Sequence, residues 1–329
     1  LAAFSNRELI ARHGVTLRQV TGARERQGIK QSPDARGRSY DARFVTNRLP
    51  GPTKPASQRD MIAMLEAAGY RVSKALPHEP IVRLDGKPGT RYKAAVVCCT
   101  HFGNVAQQIT HLHDFYRYAE SQGYEEFWNA GDTTDGPDSM HRDAVHEHFV
   151  HTFDGAVDYW VKNYPKPKNG KTRLILGNHD EAWLKDPSGS DIGRAVAARR
   201  PDVEYIGRRA ADVHVGPLRI YIIHGAGGGS YARSYKLQRM AEGFPPTRRP
   251  QILLAGNWHV PAHIPGYMGM EAFMLPSFEH STPFITSLGK GDSVIGGLLL
   301  DIELGQTGLR DIKTQWRLYD VALKGDHPK

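Results

Sequence analysis

Five short apolar runs, each stopped by a cluster of glycine and polar residues, constrain this chain more than any other feature. Ala94–Cys99 leads into Thr100-His101-Phe102-Gly103-Asn104, and Glu126–Ala130 into Gly131-Asp132-Thr133-Thr134-Asp135-Gly136. Thr172–Leu176 leads into Gly177-Asn178-His179-Asp180-Glu181, Leu218–Ile223 into His224-Gly225, and Ile252–Ala255 into Gly256-Asn257-Trp258-His259. Runs this short and this apolar suit buried strands rather than helices. Side chains at strand ends are held rigidly around a shared cleft, which is what a metal centre requires.

Helical spacing fills the intervals, over Val105–Ser121, Met140–Tyr164 and Ile192–Arg199. The second half is richer in strands, with Val203–Ile206, Ala211–Val215, Gly269–Leu275 and Val294–Leu304 added to those above, and one helix over Ala232–Glu242. An alternating first half followed by a strand-rich second half predicts an α/β fold of two packed sheets flanked by helices.

The formal net charge of +8 sits at one end of the chain. Residues 1–92 hold 17 Lys/Arg against 8 Asp/Glu, whereas the remainder holds 26 against 27. Within the basic part, Ser5 caps a run carrying Leu9 and Ile10, His13-Gly14-Val15 turns, and Thr16 caps a second run with Leu17 and Val20. This is helix-turn-helix-like, and its cations Arg18, Arg24 and Arg26 are candidate nucleic-acid contacts. A short helical hairpin with a solubilising charge is the plainer reading of the same residues. The expected organisation is residues 1–30 as the helix-turn-helix-like segment, 31–92 as a basic linker with a small helical or wing element, and 93–329 as the catalytic body.

No apolar run approaches the ~18–20 residues needed to cross a bilayer, and the start has no signal-peptide pattern, so no membrane partner and a cytoplasmic location are expected. Cys98 and Cys99 are adjacent, a spacing that disfavours a structural bridge and reads as two free thiols in a reducing compartment.

The order of the five polar clusters resembles the calcineurin-like metallophosphoesterases, whose pattern is D-x-H, G-D-x-x-D, G-N-H-D/E, H and G-H-x-H. The resemblance covers roughly residues 93–305. The segments Gln107–Tyr116, Ser230–Gln238 and the GNHDEAW stretch resemble phage-type members with an N-terminal helix-turn-helix, with distant similarity to Mre11/SbcD-type nucleases. It implies a four-layer αββα sandwich with two divalent metal ions. Asp132 would bridge the ions, Asn178 and His224 would bind one, and His101 and His259 would approach the other. His179 would stand beside the phosphate as proton donor or charge stabiliser, oriented by Asp135. Paired ions polarise phosphoryl oxygens and lower the pKa of a water, giving a metal-activated hydroxide as nucleophile at neutral pH.

Two departures from the pattern bear on the metal. Cys99 stands where the first motif has Asp, and Asn257 where the last begins with His. A thiolate favours Zn or Fe(II) over Mg, with Mn also expected to serve, and a neutral amide weakens the site made by Asn178, His224 and Asn257. Cys99 reads equally as ligand or as inert core, and Cys98 as core. His111 and His113 on the first helix, and His141, His146, His148 and His151 on the second, read as a solvated face. His263 is separated from His259 by Pro261, which argues against its replacing the missing imidazole. The Gly225–Gly229 loop lacks the lysine of a phosphate-binding P-loop.

The expected function is a metal-dependent phosphodiester hydrolase acting on nucleic acid, DNA before RNA. Two alternatives stay open: a phosphomonoesterase or cyclic-nucleotide phosphodiesterase using the same ions, and a non-catalytic DNA-binding or assembly protein with a degenerate site.

Overall fold

A computed structural model of the chain describes residues 81–137, 146–185, 190–287, 289 and 293–326. The helix-turn-helix-like segment with Arg18, Arg24 and Arg26, and the proposed linker up to residue 80, lie outside the described residues.

Twelve strands appear among the described residues: β1 (Ile81–Leu84), β2 (Arg91–Val97), β3 (Glu126–Ala130), β4 (Lys171–Ile175), β5 (Val203–Gly207), β6 (Ala210–Val215), β7 (Leu218–Ile223), β8 (Ile252–Ala255), β9 (Ala262–Tyr267), β10 (Met270–Met274), β11 (Ile295–Gly305) and β12 (Gly308–Tyr319). They form two six-stranded sheets, ordered β12-β11-β2-β3-β4-β5 and β1-β6-β7-β8-β10-β9. The four longer helices are α1 (Ile109–Ser121), α2 (Phe153–Asn163), α3 (Ile192–Arg199) and α4 (Tyr235–Gly243).

Layering follows from the strand sequences. In β2, Ala94 and Val96 face the second sheet, where they join Val213, Ile220, Ile222 and Leu254, while Ala95 and Val97 face Leu112 and Phe115 of α1 and Trp160 of α2. A strand covered on both faces needs apolar residues at every position, which is why β2 reads as an unbroken run. On the far side of the second sheet, Leu237 and Ala241 of α4 cover Tyr221, Leu253 and Ala272. The result is the four-layer αββα sandwich that the metallophosphoesterase resemblance implies.

Several elements differ from the periodicity. Helix α1 begins at Ile109 rather than Val105, because the Asn104 and Gln107 side chains accept the Ala106 and Gly103 amides and hold residues 103–108 in a loop. Of the expected helix over Met140–Tyr164, residues 140–145 lie outside the described residues, and α2 begins at Phe153, where Thr152 caps it by accepting the Gly155 amide. Strand β1 lies upstream of residue 93, the expected start of the catalytic body, and pairs parallel with β6 from Ile81↔Asp212 to Leu84↔Val215. Its alternating half-burial, like that of β9 and β12, belongs to sheet edges. Among the described residues no helix is long and apolar enough to cross a membrane.

Candidate metal centre

Strand direction gathers the polar clusters. β2, β3 and β4 are mutually parallel, as are β7, β8 and β10, so the C-terminal ends of each set open at one edge of its sheet. The two edges meet: His224, following β7, donates from Nδ1 to the Ala130 carbonyl at the end of β3, 2.8 Å away. Ligands cluster at such carboxyl ends because the chain leaves the sheet there and side chains are freed from the ladder.

The backbone is bent sharply to aim these side chains. Among the described residues six non-glycine positions have left-handed φ, and five of them, Cys99, His101, Asp132, Asn257 and His259, belong to the predicted site. Such conformations each cost ~1–3 kcal/mol and concentrate where side-chain aim matters. Two glycines make the close approach possible. A Cβ on Gly177 would stand 2.0 Å from Asp132 Oδ1, and one on Gly131, whose φ is +94°, would stand 2.6 Å from the His224 ring.

Asp135 is the organising carboxylate. Its Oδ1 lies 2.7 Å from both His101 Nδ1 and His179 Nδ1, and its Oδ2 accepts from Asn104 Nδ2 at 2.7 Å and lies 3.3 Å from His148 Nε2. Both imidazoles are thereby fixed with Nε2 turned away from Asp135. Asp132 sits deeper, with Oδ2 2.9 Å from His224 Nε2 and 3.9 Å from His101 Nε2, while its Oδ1 accepts the His179 amide. Asp180 locks the two loops together: its carboxylate accepts the amides of Thr133, Thr134 and Gly177 and the Thr134 hydroxyl.

Electrostatics match this packing. Burial opposes ionisation of Asp132 and Asp135, but imidazoles outweigh it, those of His224, His179 and His101 at Asp132 and those of His101, His179 and His148 at Asp135, and hold both carboxyls below the ordinary range. Burial opposes a charge on His179 as well; Asp132 and Asp135 overcome it and lift the imidazole to about 9. His259 goes the other way, pushed down to about 3 by burial and by neighbouring His101, and so stays neutral, the form that binds a metal. Burial lifts Asp180 and Glu279 to about 6 and about 7.

The site passes a test for metal on its own atoms. His101 Nε2 is fully buried with no hydrogen-bond partner among the described residues, and the equally buried His224 Nε2 meets only the Asp132 carboxylate, 2.9 Å away and out of hydrogen-bonding alignment. An orphaned buried polar atom costs ~1–3 kcal/mol, so His101 Nε2, beside an imidazole–carboxylate pair, marks a place where a partner of another kind belongs. The donor atoms of Cys99, His101 and His259, and separately those of His101, Asp132 and His179, lie within 4.8 Å of one another. Imidazole nitrogen, thiolate and carboxylate are the donor set of Zn and Fe(II) more than of Mg.

The remaining predicted residues fall at the same edge. Asn178 is half-buried in the turn after β4, and the Asn257 amide donates to the Gly227 carbonyl at 3.1 Å. Cys98 and Cys99 are free and buried, with Sγ atoms 2.9 Å apart. His263 sits on β9, bonded to Glu271 and stacked on Phe273, away from the cluster. His148 is corrected: it does not lie on a solvated helical face, because the chain there precedes α2 and turns the side chain onto Asp135. Sequence reasoning also missed Glu279, a buried carboxylate with Oε2 3.6 Å from His101 Nε2 and 3.8 Å from His259 Nδ1. The signal was available, since Pro276-Ser277-Phe278-Glu279-His280 ends the apolar run of β10 as the other clusters end theirs.

Fold and site together define a class, an αββα sandwich whose inner strand ends carry a buried cluster of histidine and carboxylate. No family model matches the chain, and no curated protein matches it. Among solved structures it is similar to Vps29 of Chaetomium thermophilum, at 14% identity over 69% of this chain and 98% of that one, with a TM-score of 0.36. It is also similar to a dimetal phosphatase of Danio rerio, at 10% identity over 69% and 99% of the two chains and a TM-score of 0.36. Protein TM1076 of Thermotoga maritima matches at 13% identity over 69% and 99%, with a TM-score of 0.30.

Proposed function

We propose that the chain is a calcineurin-like, metal-dependent phosphoester hydrolase with nucleic acid as its substrate. The observation that carries the hydrolase reading is the convergence of His101 and His224 on Asp132, with His101 Nε2 buried and met by no hydrogen-bond partner among the described residues and His224 Nε2 turned onto the Asp132 carboxylate at 2.9 Å. Asp132 lies between His101 and His224 and would bridge two ions, with Asn178 and His224 on one side and Cys99, His101 and His259 on the other. Divalent ions held there supply Lewis acidity toward phosphoryl oxygen and water.

The chain's own residues supply the rest. His179 is the most exposed imidazole of the set, its side chain 32% accessible, so it faces whatever enters the cleft. With Nδ1 committed to Asp135, its Nε2 is the atom left to hold a proton for a leaving oxygen. Asp135 fixes that orientation and supports the imidazolium. His148 and Asn104, on the far oxygen of Asp135, keep the carboxylate from rotating.

Nucleic acid as substrate is supported by the basic excess of residues 1–92, with Arg18, Arg24 and Arg26 as phosphate contacts. Full-length protein stripped of metal and resupplied with Mn, Fe(II) or Zn is expected to hydrolyse bis-p-nitrophenyl phosphate faster than p-nitrophenyl phosphate. The reverse preference would make it a monoesterase. If the stripped protein takes up no ion and added metal elicits no hydrolysis, the site is a relic and the binding-protein reading stands.

A further inference from the structure

We propose that Glu279 is a direct ligand of the ion that His101 and His259 share, a role that nothing in the five sequence clusters assigns. The inference rests on the hydrolase reading above and names a residue that completes its site.

The separations carry it. Two donors, each ~2.0–2.2 Å from one tetrahedral ion, stand about 3.4 Å apart. Glu279 Oε2 lies 3.6 Å from His101 Nε2, too far for a hydrogen bond and close to the spacing of donors around one ion, and it lies 3.8 Å from His259 Nδ1, a nitrogen bonded to Ser293 Oγ at 3.1 Å, which leaves the His259 Nε2 for an ion. His101 Nε2 is itself buried and without a hydrogen-bond partner among the described residues, so the nitrogen nearest to Glu279 is the one that lacks a partner. His101 and His259 also share a donor cluster with Cys99, and their rings are 5.3 Å apart.

The fold positions Glu279 deliberately with respect to that cluster. The Ser277 hydroxyl accepts the Glu279 amide at 2.7 Å, and the Phe278 amide donates to the Cys99 carbonyl at 3.1 Å. Gln107 bridges to Glu279, and the His280 amide donates to Ala106. The segment carrying Glu279 is thus sewn to the loop carrying Cys99 and His101, so the carboxylate moves with the imidazole it faces. A buried carboxylate is expensive unless a cation or hydrogen bonds compensate it. An ion held jointly with His101 and His259 provides that compensation, and it places a hard oxygen donor where Cys99 offers only sulfur.

The test is metal binding by full-length protein, measured by calorimetric titration of Zn or Mn into the metal-free form and by metal content after dialysis. Glu279→Gln is expected to retain one ion where the unsubstituted protein retains two, with the lost ion bound more than 100-fold more weakly. A loss of 100-fold or less is what an outer hydrogen-bonding neighbour costs, and it would overturn the assignment. Should the variant not fold, a structure of the unsubstituted protein grown with Zn decides. A Glu279 oxygen within ~2.0–2.2 Å of the ion supports the inference, and any longer separation refutes it. If the unsubstituted protein binds no metal, the hydrolase reading falls and takes this assignment with it; if it binds two ions and Glu279→Gln still binds two, only the assignment falls.

Discussion

At the scale of single residues, the proposed function separates groups that would meet ions from groups that would aim them. Asp132→Asn removes the charge between His101 and His224, and the expected outcome is loss of hydrolysis together with loss of bound metal, read by metal content. His179→Ala, by contrast, should lower kcat by ~10²–10⁴ while bound metal stays unchanged, because His179 contributes its ring through Asp135 and the cleft. Asp180 belongs to neither group. Its two oxygens accept four donors, and an amide in its place would set NH₂ against an N–H, so Asp180→Asn should destabilise the fold by about 1–3 kcal/mol in thermal or denaturant unfolding. All three residues were visible as members of ordered polar clusters. What could not be seen was that Asp180 faces backward into the loops, whereas Asp135 one cluster earlier faces the imidazoles; both are aspartates three or four residues after the glycine that leads the turn, and only packing distinguishes them.

Among the elements, the strands covered on both faces were the most legible. β3, β7 and β8 occupy the spans their apolar runs predict, since burial on two sides leaves no freedom of composition. The edges β1, β9 and β12 were not foreseen, because a half-solvated strand tolerates the charges and prolines that read as loop. Helix starts were misplaced where side chains such as Asn104, Gln107 and Thr152 compete for backbone amides. The loops after β3 and β4 depend on close approach: Gly177→Ala would drive a Cβ into Asp132 Oδ1. The expected cost is about 1–3 kcal/mol of stability from overpacking, and weaker metal binding, measured by unfolding and by titration of the metal-free protein.

For the whole molecule, the proposed function expects ion binding and folding to be coupled, because the candidate donors come from both sheets: Asp132 follows β3 and His224 follows β7. Each ion present at 100 times its Kd should add about 2.7 kcal/mol to stability, so chelation should lower the melting temperature and resupplied Zn or Mn restore it. The basic N-terminal region predicts a different dependence. Replacing Arg18, Arg24 and Arg26 together by Ala should reduce the salt slope of duplex DNA binding by roughly 2–3 while hydrolysis of the small diester is kept. The sequence by itself determined two packed sheets flanked by helices and the order of the polar clusters, because doubly buried strands and the polar residues that end them are written in local composition, and the resemblance those clusters carry implied the αββα layering. Only the tertiary structure decided which of those polar residues share a centre. The opposition of Glu279 to His101, the turning of His148 onto Asp135 and the junction of His224 with Ala130 arise where separate strand ends are brought within a few ångströms, and no local pattern encodes a distance between residues so far apart in the chain.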